Sequence, residues 1–334
     1  MKKEAVTCVL MGDAGGIGPE LVAKSLRHSD PFDGLKTLIL GSREILDMGM
    51  RISGTKIKVP TFNNIEQALA SDSPVSLLDR EDLDYGDITI GENNKRCGEA
   101  DLGLARYVVE LFQNGLIDGL VFAPVNKISL KMGGSAFEGY KAYIANLLGL
   151  TRTSEEINTI GHLWTTRVTS HMAISEVAQH ITEQNVYKVI QYFNEELRKF
   201  GYENPKIAVS GLNPHNGDNG MFGREEIDEI GPAVERAKRT GVNVEGPYPA
   251  DTIFLKVKKE GIPGVVSMFH DQCQIATKLM GFDEGVTYFG GLPFPIMTPA
   301  HGTAFDIAGK GVASERPLLN ALSLMRKAVL KKTN

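Results

Sequence analysis

The sequence predicts an α/β protein of two domains, and three observations carry that expectation. Short apolar runs alternate with segments of helical periodicity along the whole chain. The first apolar run breaks at a glycine-rich turn that opens a helix with proline in its first turn. The chain has 334 residues, more than one hydrophobic core usually organises.

In order, Ala5–Met11 reads as a strand and Pro19–His28 as a helix. Thr37–Gly41 is a short strand stopped by glycine. Leu102–Asn114 has helical periodicity, and Gly119–Ala123 returns as a strand. Val186–Phe200 is an amphipathic helix and Lys206–Ser210 a buried strand. Glu225–Thr240 reads as one helix closed by Gly241, and Gly264–Met268 as a further strand. Leu318–Leu330 is a helix followed by Lys331 and Lys332, cations that suit a helix C-terminus. No Pro/Gly/Ser-rich linker separates these elements. The glycine loops near the two chain ends would serve one ligand best from a single domain. The expected division is therefore a discontinuous domain of residues 1–126 plus 280–334, and a central domain of residues 127–279.

The net charge of −5 gives no electrostatic reason to expect nucleic acid or an anionic membrane as partner. Cys8, Cys97 and Cys273 are far apart and form no CxxC pair, which argues against a disulfide framework and a thiolate zinc site. Two lysines before the first apolar run imitate a stunted signal peptide. The break at Gly12 and the lack of a cleavage-like region favour a first strand instead. No run of about 18 apolar residues occurs, so no membrane span is expected and the cytoplasm is the expected compartment.

Two loops stand out. Gly12–Glu20 follows a strand and opens a helix, the context in which a helix N-terminus meets an anion. It has neither the GxGxxG spacing nor the P-loop Lys-Ser/Thr, and a tight turn made of small residues explains it as well. His301–Gly311 places His301 and Asp306 on a glycine-framed loop. Its glycines admit a flat ligand, and its carboxylate can accept hydrogen bonds from a ribose diol. His171, His215 and His270 each close a strand-like segment, where α/β proteins place chemistry. Three imidazoles would suit Zn²⁺ or another borderline divalent ion, although such long spacings do not bring them together by themselves. His28 and His180 read as solvent-facing. Asp251, after a Pro-rich turn, is either a fixed functional carboxylate or the N-cap of the next helix. Lys278 is either a proton donor to substrate or an ordinary surface lysine.

Taken together, Gly12–Glu20, Val121–Lys127, Gly211–His215, Gly246–Thr252, His270-Asp271-Gln272 and His301–Gly311 resemble the 4-hydroxythreonine-4-phosphate dehydrogenase (PdxA) family across essentially the whole chain. The resemblance implies a two-domain subunit with the isopropylmalate/isocitrate dehydrogenase-like fold and an interdomain active-site cleft. It implies a homodimer whose subunits share the active site, and a small-molecule hydroxy acid as substrate. It implies a divalent metal (Zn, Co, Mg, Mn or Ni) held by His171, His215 and His270. NAD or NADP would be carried by the loops containing Gly12, Asp13, Gly16, Gly18, His301, Gly302, Thr303, Ala304 and Asp306. Lys278 matches a substrate-binding lysine, and Asp251 and Asp271 are candidate proton-handling or metal-supporting carboxylates. The implied reaction is oxidation of a β-hydroxy carboxylate followed by decarboxylation. A simple dehydrogenase and a non-catalytic binding homologue are the alternatives.

The departures from the family pattern fall in its substrate-reading residues. Gly139-Tyr140-Lys141-Ala142 stands for Gly-His-Thr-Glu, Thr287 for asparagine and Ala300 for aspartate. Leu292–Thr298 lacks the family's arginine, and isoleucine cannot replace a two-pronged phosphate donor. Lys141 could restore positive charge from a different place. Tyr140, Phe294, Ile296 and Met297 suggest a less charged pocket, and hence an unphosphorylated substrate such as a cis-dihydrodiol carboxylate.

Overall fold

The protein is described from a computed structural model, which covers residues 4–150 and 156–332. It divides into two compact units, Met1–Glu155 with Val286–Asn334, and Glu156–Gly285.

Unit 1 begins with β1 (Val6–Leu10), α1 (Gly18–Ser25), β2 (Lys36–Gly41), α2 (Arg43–Ser53), β3 (Thr61–Phe62), α3 (Ile65–Ala70) and β4 (Val75–Asp79). It continues through α4 (Lys95–Gln113), β5 (Gly119–Phe122), α5 (Lys127–Met132) and α6 (Tyr140–Leu147). Unit 2 contains β6 (Glu156–Ile160), β7 (Leu163–Arg167), α7 (Ile174–His180), α8 (Glu183–Lys199), β8 (Ile207–Ser210), α9 (Gly231–Arg239), β9 (Val244–Tyr248), α10 (Ile253–Glu260), β10 (Gly264–Ser267) and α11 (His270–Gly281). The chain returns to unit 1 as β11 (Val286–Phe289), β12 (Ile296–Pro299) and α12 (Arg316–Lys332).

The strands of unit 1 run β3-β4-β2-β1-β5-β12-β11, all parallel except the last pair. Strands β1, β2 and β5 are buried along their whole length, as continuous apolar runs in a parallel sheet require. One core joins Leu10, Leu38, Val108, Leu120, Ile144 and Phe294. The strands of unit 2 run β6-β7-β10-β8-β9, with only the β6–β7 hairpin antiparallel. Val265, Ala208 and Leu163 pack there on Ile253 and Val257 of α10.

Three expectations need correction. Residues 127–150, assigned from sequence to the central domain, belong to unit 1, because α5 and α6 pack on α4, and residues 280–285, assigned to the discontinuous domain, belong to unit 2. Helix α4 starts at Lys95, seven residues before the apolar periodicity begins. Asn94 caps it by accepting from Arg96 N (2.7 Å) and Cys97 N (3.2 Å). The helix expected over Glu225–Thr240 is a π turn, Glu226–Ile230, followed by α9. Pro232 has no N–H to donate back into the preceding turn.

Candidate functional site

In unit 1 the two glycine loops lie against each other. Gly12 (φ +68°) leaves β1 so tightly that a Cβ there would stand 2.4 Å from the carbonyl oxygens of Ala123 and Pro124. A Cβ on Gly18 would stand 1.9 Å from Met11 O. These glycines serve the chain's own turn. The loops meet where Ile17 N donates to Thr303 O (3.1 Å), with Gly16 packed on the Thr303 side chain. A third segment, absent from the sequence reading, joins them: Gly91 N donates to Gly15 O (2.8 Å) and Ile90 packs under Gly309.

Two charged residues of the first loop face inward. Asp13 is fully buried, and its Oδ1 accepts from Gly15 N (2.9 Å). Burial pushes its carboxyl above the usual carboxylate range, against hydrogen bonds from Ser129, Gly15 and Cys97. Asp13 therefore braces the turn and does not present its carboxylate to a ligand, which corrects its expected place among the cofactor residues. Glu20 is 1% exposed and pairs with Lys24 (2.7 Å); its Oε1 also accepts from Ala313 N (2.9 Å). Lys24 Nζ donates to Gly311 O (2.9 Å) and Ala313 O (2.6 Å). This latch ties the end of the second loop to α1. The Glu-x-x-x-Lys spacing was its signal in the sequence.

The outward face of these loops is different. Gly302 is exposed with nothing within 4 Å of a Cβ position, Asp306 is exposed, and His301 is half-buried with Nδ1–H donating to Gly302 O (3.0 Å). Ala304 holds a left-handed conformation (φ +45°) beside buried Thr303.

In unit 2, His171 and His270 come together, with ring centroids 5.9 Å apart. Neither ends a strand as expected: β7 stops at Arg167, and His270 is the first residue of α11. His270 Nδ1 lies 2.7 Å from Asp271 Oδ1, and with the carboxylate accepting, the ring donates through Nδ1. Buried Arg167 donates to Ser170 Oγ (2.7 Å), Asn158 Oδ1 (3.0 Å) and Glu156 Oε2 (2.7 Å), and Gln274 of α11 donates to the same Asn158 oxygen (2.7 Å). This network steadies both histidine-bearing segments. Gln272 bridges the turn before α11 to the His215 loop, accepting from Met268 N (2.8 Å) and donating to Gly211 O (3.0 Å). His215 is exposed on that loop. Among the described residues no three His, Cys, Asp or Glu side chains gather as a metal site within the chain.

Lys278 is exposed on α11, seven residues after Asp271 and on the same helix face. Asp251 lies in the exposed turn before α10. Thr252, not Asp251, occupies the N-cap, and it makes no side-chain cap. His28 and His180 are exposed as expected. The four side chains taken as a less charged pocket are core instead. Tyr140 is 4% exposed with its hydroxyl donating to Asp101 O (2.9 Å), Phe294 stacks on Phe112 at 4.1 Å, and Ile296 and Met297 are fully buried in β12. They say nothing about substrate charge. Lys141, half-buried at the start of α6, places its ammonium 5.9 Å from the Phe289 ring centre. Among the described residues no helix is long and apolar enough to cross a membrane.

The family model described as pyridoxal phosphate biosynthetic protein PdxA matches residues 34–325. A Rhizobium meliloti protein, provisionally named 4-hydroxythreonine-4-phosphate dehydrogenase 2, is 41% identical over 99% of this chain and 95% of its own. The D-threonate 4-phosphate dehydrogenase of Cupriavidus necator is 36% identical over 94% of each chain. The crystal structure of a 4-hydroxythreonine-4-phosphate dehydrogenase from Burkholderia phymatum superposes with a TM-score of 0.80 at 34% identity, covering 97% of this chain and 98% of that one. The inward glycine turn, the latched second loop and the paired histidines are thus set in a chain that belongs, over nearly its whole length, to the PdxA family of dehydrogenases.

Proposed function

We propose that the protein oxidises a phosphorylated hydroxy acid with NAD or NADP and a divalent cation, and decarboxylates the product, as a cytoplasmic homodimer. The observation that carries the reading is the His171–His270 pair, side by side with Asp271 hydrogen-bonded to Nδ1 of His270. Neutral imidazoles of this kind suit a borderline divalent ion, and a carboxylate behind the ring is the usual support for such a ligand. His215 is the third donor. A site shared between the subunits of a homodimer would bring the three donors together. Ile275, Leu279 and Met280 leave an apolar face exposed on the same α11, which suits burial against a second copy.

The residues of unit 1 fit the dinucleotide. Gly302 leaves room for a flat ring system, and the exposed Asp306 carboxylate suits a ribose diol. Held by His171, His270 and His215, the cation would supply Lewis acidity to the substrate hydroxyl, and the nicotinamide would accept the hydride. Lys278 offers an ammonium to the substrate anion and a proton to the product, while Asp251 and Asp271 handle protons or support the metal donors. Lys141 supplies positive charge for phosphate in place of the missing arginine. The names of the relatives, two dehydrogenases of phosphorylated hydroxy acids, support this substrate class.

The test is turnover of 4-hydroxythreonine-4-phosphate, D-threonate 4-phosphate and their unphosphorylated forms, read as NADH and CO₂ together, with metal analysis and NAD titration. Phosphorylated substrates should turn over with bound metal and CO₂ release. A protein that binds neither metal nor NAD would sink the enzyme reading. NADH without CO₂ would reduce it to a simple dehydrogenase, and turnover of unphosphorylated acids alone would overturn the substrate class.

A further inference from the structure

The loop after β8 is built in an unusual backbone conformation. His215 (φ +53°), Asn216 (+59°), Gly217 (+75°), Asp218 (+42°) and Asn219 (+55°) are five consecutive left-handed residues, and only one of them is glycine. L-residues avoid this region because Cβ crowds the following carbonyl, and runs of them persist only where surroundings over-determine them. One buried side chain stands at the centre of those surroundings. Glu226, 5% exposed in the π turn, accepts with Oε1 from Leu212 N (2.7 Å) and Asn213 N (2.7 Å), and with Oε2 from Asn213 Nδ2 (2.9 Å). Its carboxylate also fills the space beside two glycines: a Cβ on Gly211 or on Gly217 would stand 2.9 Å from a Glu226 oxygen. The turn is tied down at its other side by Asn216 Nδ2 donating to Pro247 O (2.6 Å) and Phe222 N donating to Gly217 O (3.0 Å).

We infer that Glu226 is a positioning residue: its carboxylate clamps the base of a strained left-handed turn and so fixes where His215 is presented. The inference rests on the reading of His215 as a metal donor for its consequence, but the clamp itself is a property of the metal-free protein. The π turn places Glu226 for the task. Glu226 is the first residue of that turn, and its carboxylate lies under the amides of residues 212 and 213.

The experiment uses Glu226→Gln, alone and combined with Asp218→Gly and Asn219→Gly, in the full chain. Hydrogen exchange of the metal-free protein and Co²⁺ titration by visible absorption are the two readouts. The single variant should exchange its Leu212 and Asn213 amides faster and bind Co²⁺ about 10–100-fold more weakly with an altered spectrum. The added glycines, which relax the left-handed turn, should restore much of both. If Glu226→Gln does not fold, Asn213→Ala removes the donor to Glu226 Oε2 along with its 2.6 Å bond to Glu225 Oε2, leaves both amide donors to Oε1, and should give the same signature more weakly. Unchanged exchange and spectrum would overturn the inference. So would loosening spread evenly over unit 2 that the glycines do not rescue, since that marks a general core residue. A wild-type protein that takes up no Co²⁺ would fail the metal reading alone, leaving exchange and glycine rescue to decide on the clamp.

Discussion

The two loop systems of this protein use their polar side chains in opposite directions. In unit 1 the charged residues of the first glycine loop, Asp13 and Glu20, point into the protein and hold backbone, while the outward surface is nearly bare around Gly302. In unit 2 the backbone is held by Glu226 and Gln272, Arg167 ties side chains together, and His215, His171 and Asp271 are exposed, with His270 partly so. The first is a surface shaped by main chain, suited to a large flat ligand that needs shape and a diol acceptor. The second displays imidazoles and a carboxylate, which under the proposed function would meet a borderline ion. A motif read from sequence mixes the residues that build such a loop with those that use it, and burial separates them.

The comparison can be broken from either side. The largest effect should come from His215→Ala, which should remove metal and abolish turnover while the far-ultraviolet circular dichroism stays unchanged, because the side chain is exposed. Retained metal and rate would take His215 out of the donor set. Next, Lys24→Met should strand the buried Glu20 carboxylate and cost about 3–5 kcal/mol in urea unfolding; a cost below about 1 kcal/mol would show that the latch is idle.

A smaller effect concerns the buried carboxyls within unit 1. Burial pushes Asp82 up to about 6, partly offset by Arg80, and pushes Asp101 well above its usual range with Asp13 and Asp82 repelling it further. For Asp82 the folded protein keeps its proton between the ordinary value of 3.8 and about 6, where the unfolded chain has lost it. The folded state then binds more protons, so this stabilisation is complete below about pH 4 and lost as pH rises through about 6. Asp82→Asn should flatten that slope and add about 2 kcal/mol at pH 7.5, read from urea midpoints at both pH values. An unaltered slope would assign it to other groups. Smallest of all, Asp306→Ala should raise the cofactor KM about tenfold, or about 1.4 kcal/mol, with kcat and the substrate KM unmoved. A changed kcat would place Asp306 in the chemistry.

The sequence made the α/β alternation and most strand positions legible, because buried parallel strands read as unbroken apolar runs. It concealed the polar beginning of α4, where Asn94 and not hydrophobicity sets the start. It concealed the π turn, since side-chain periodicity barely registers one inserted residue. It misled at Tyr140, Phe294, Ile296 and Met297, because an apolar residue inside a binding motif can equally be the floor beneath it. Direction is the missing quantity: Asp13 and Asp306 are the same residue type on neighbouring loops, one facing the core and the other solvent.

The pairing of β5 with β12 sets a timetable for synthesis. Leu120 and Val121 have β1 on one side from the start, but their other neighbours, Ile296 and Met297, lie roughly 175 residues downstream. At ribosomal speeds of about 5–20 residues per second, an open parallel edge waits on the order of ten seconds or more for its partner. The latch residues Gly311 and Ala313 arrive later still. Unit 2, whose sequence is unbroken, can be finished before unit 1 closes, and the half-made sheet is the stage at which a chaperone would have most to protect.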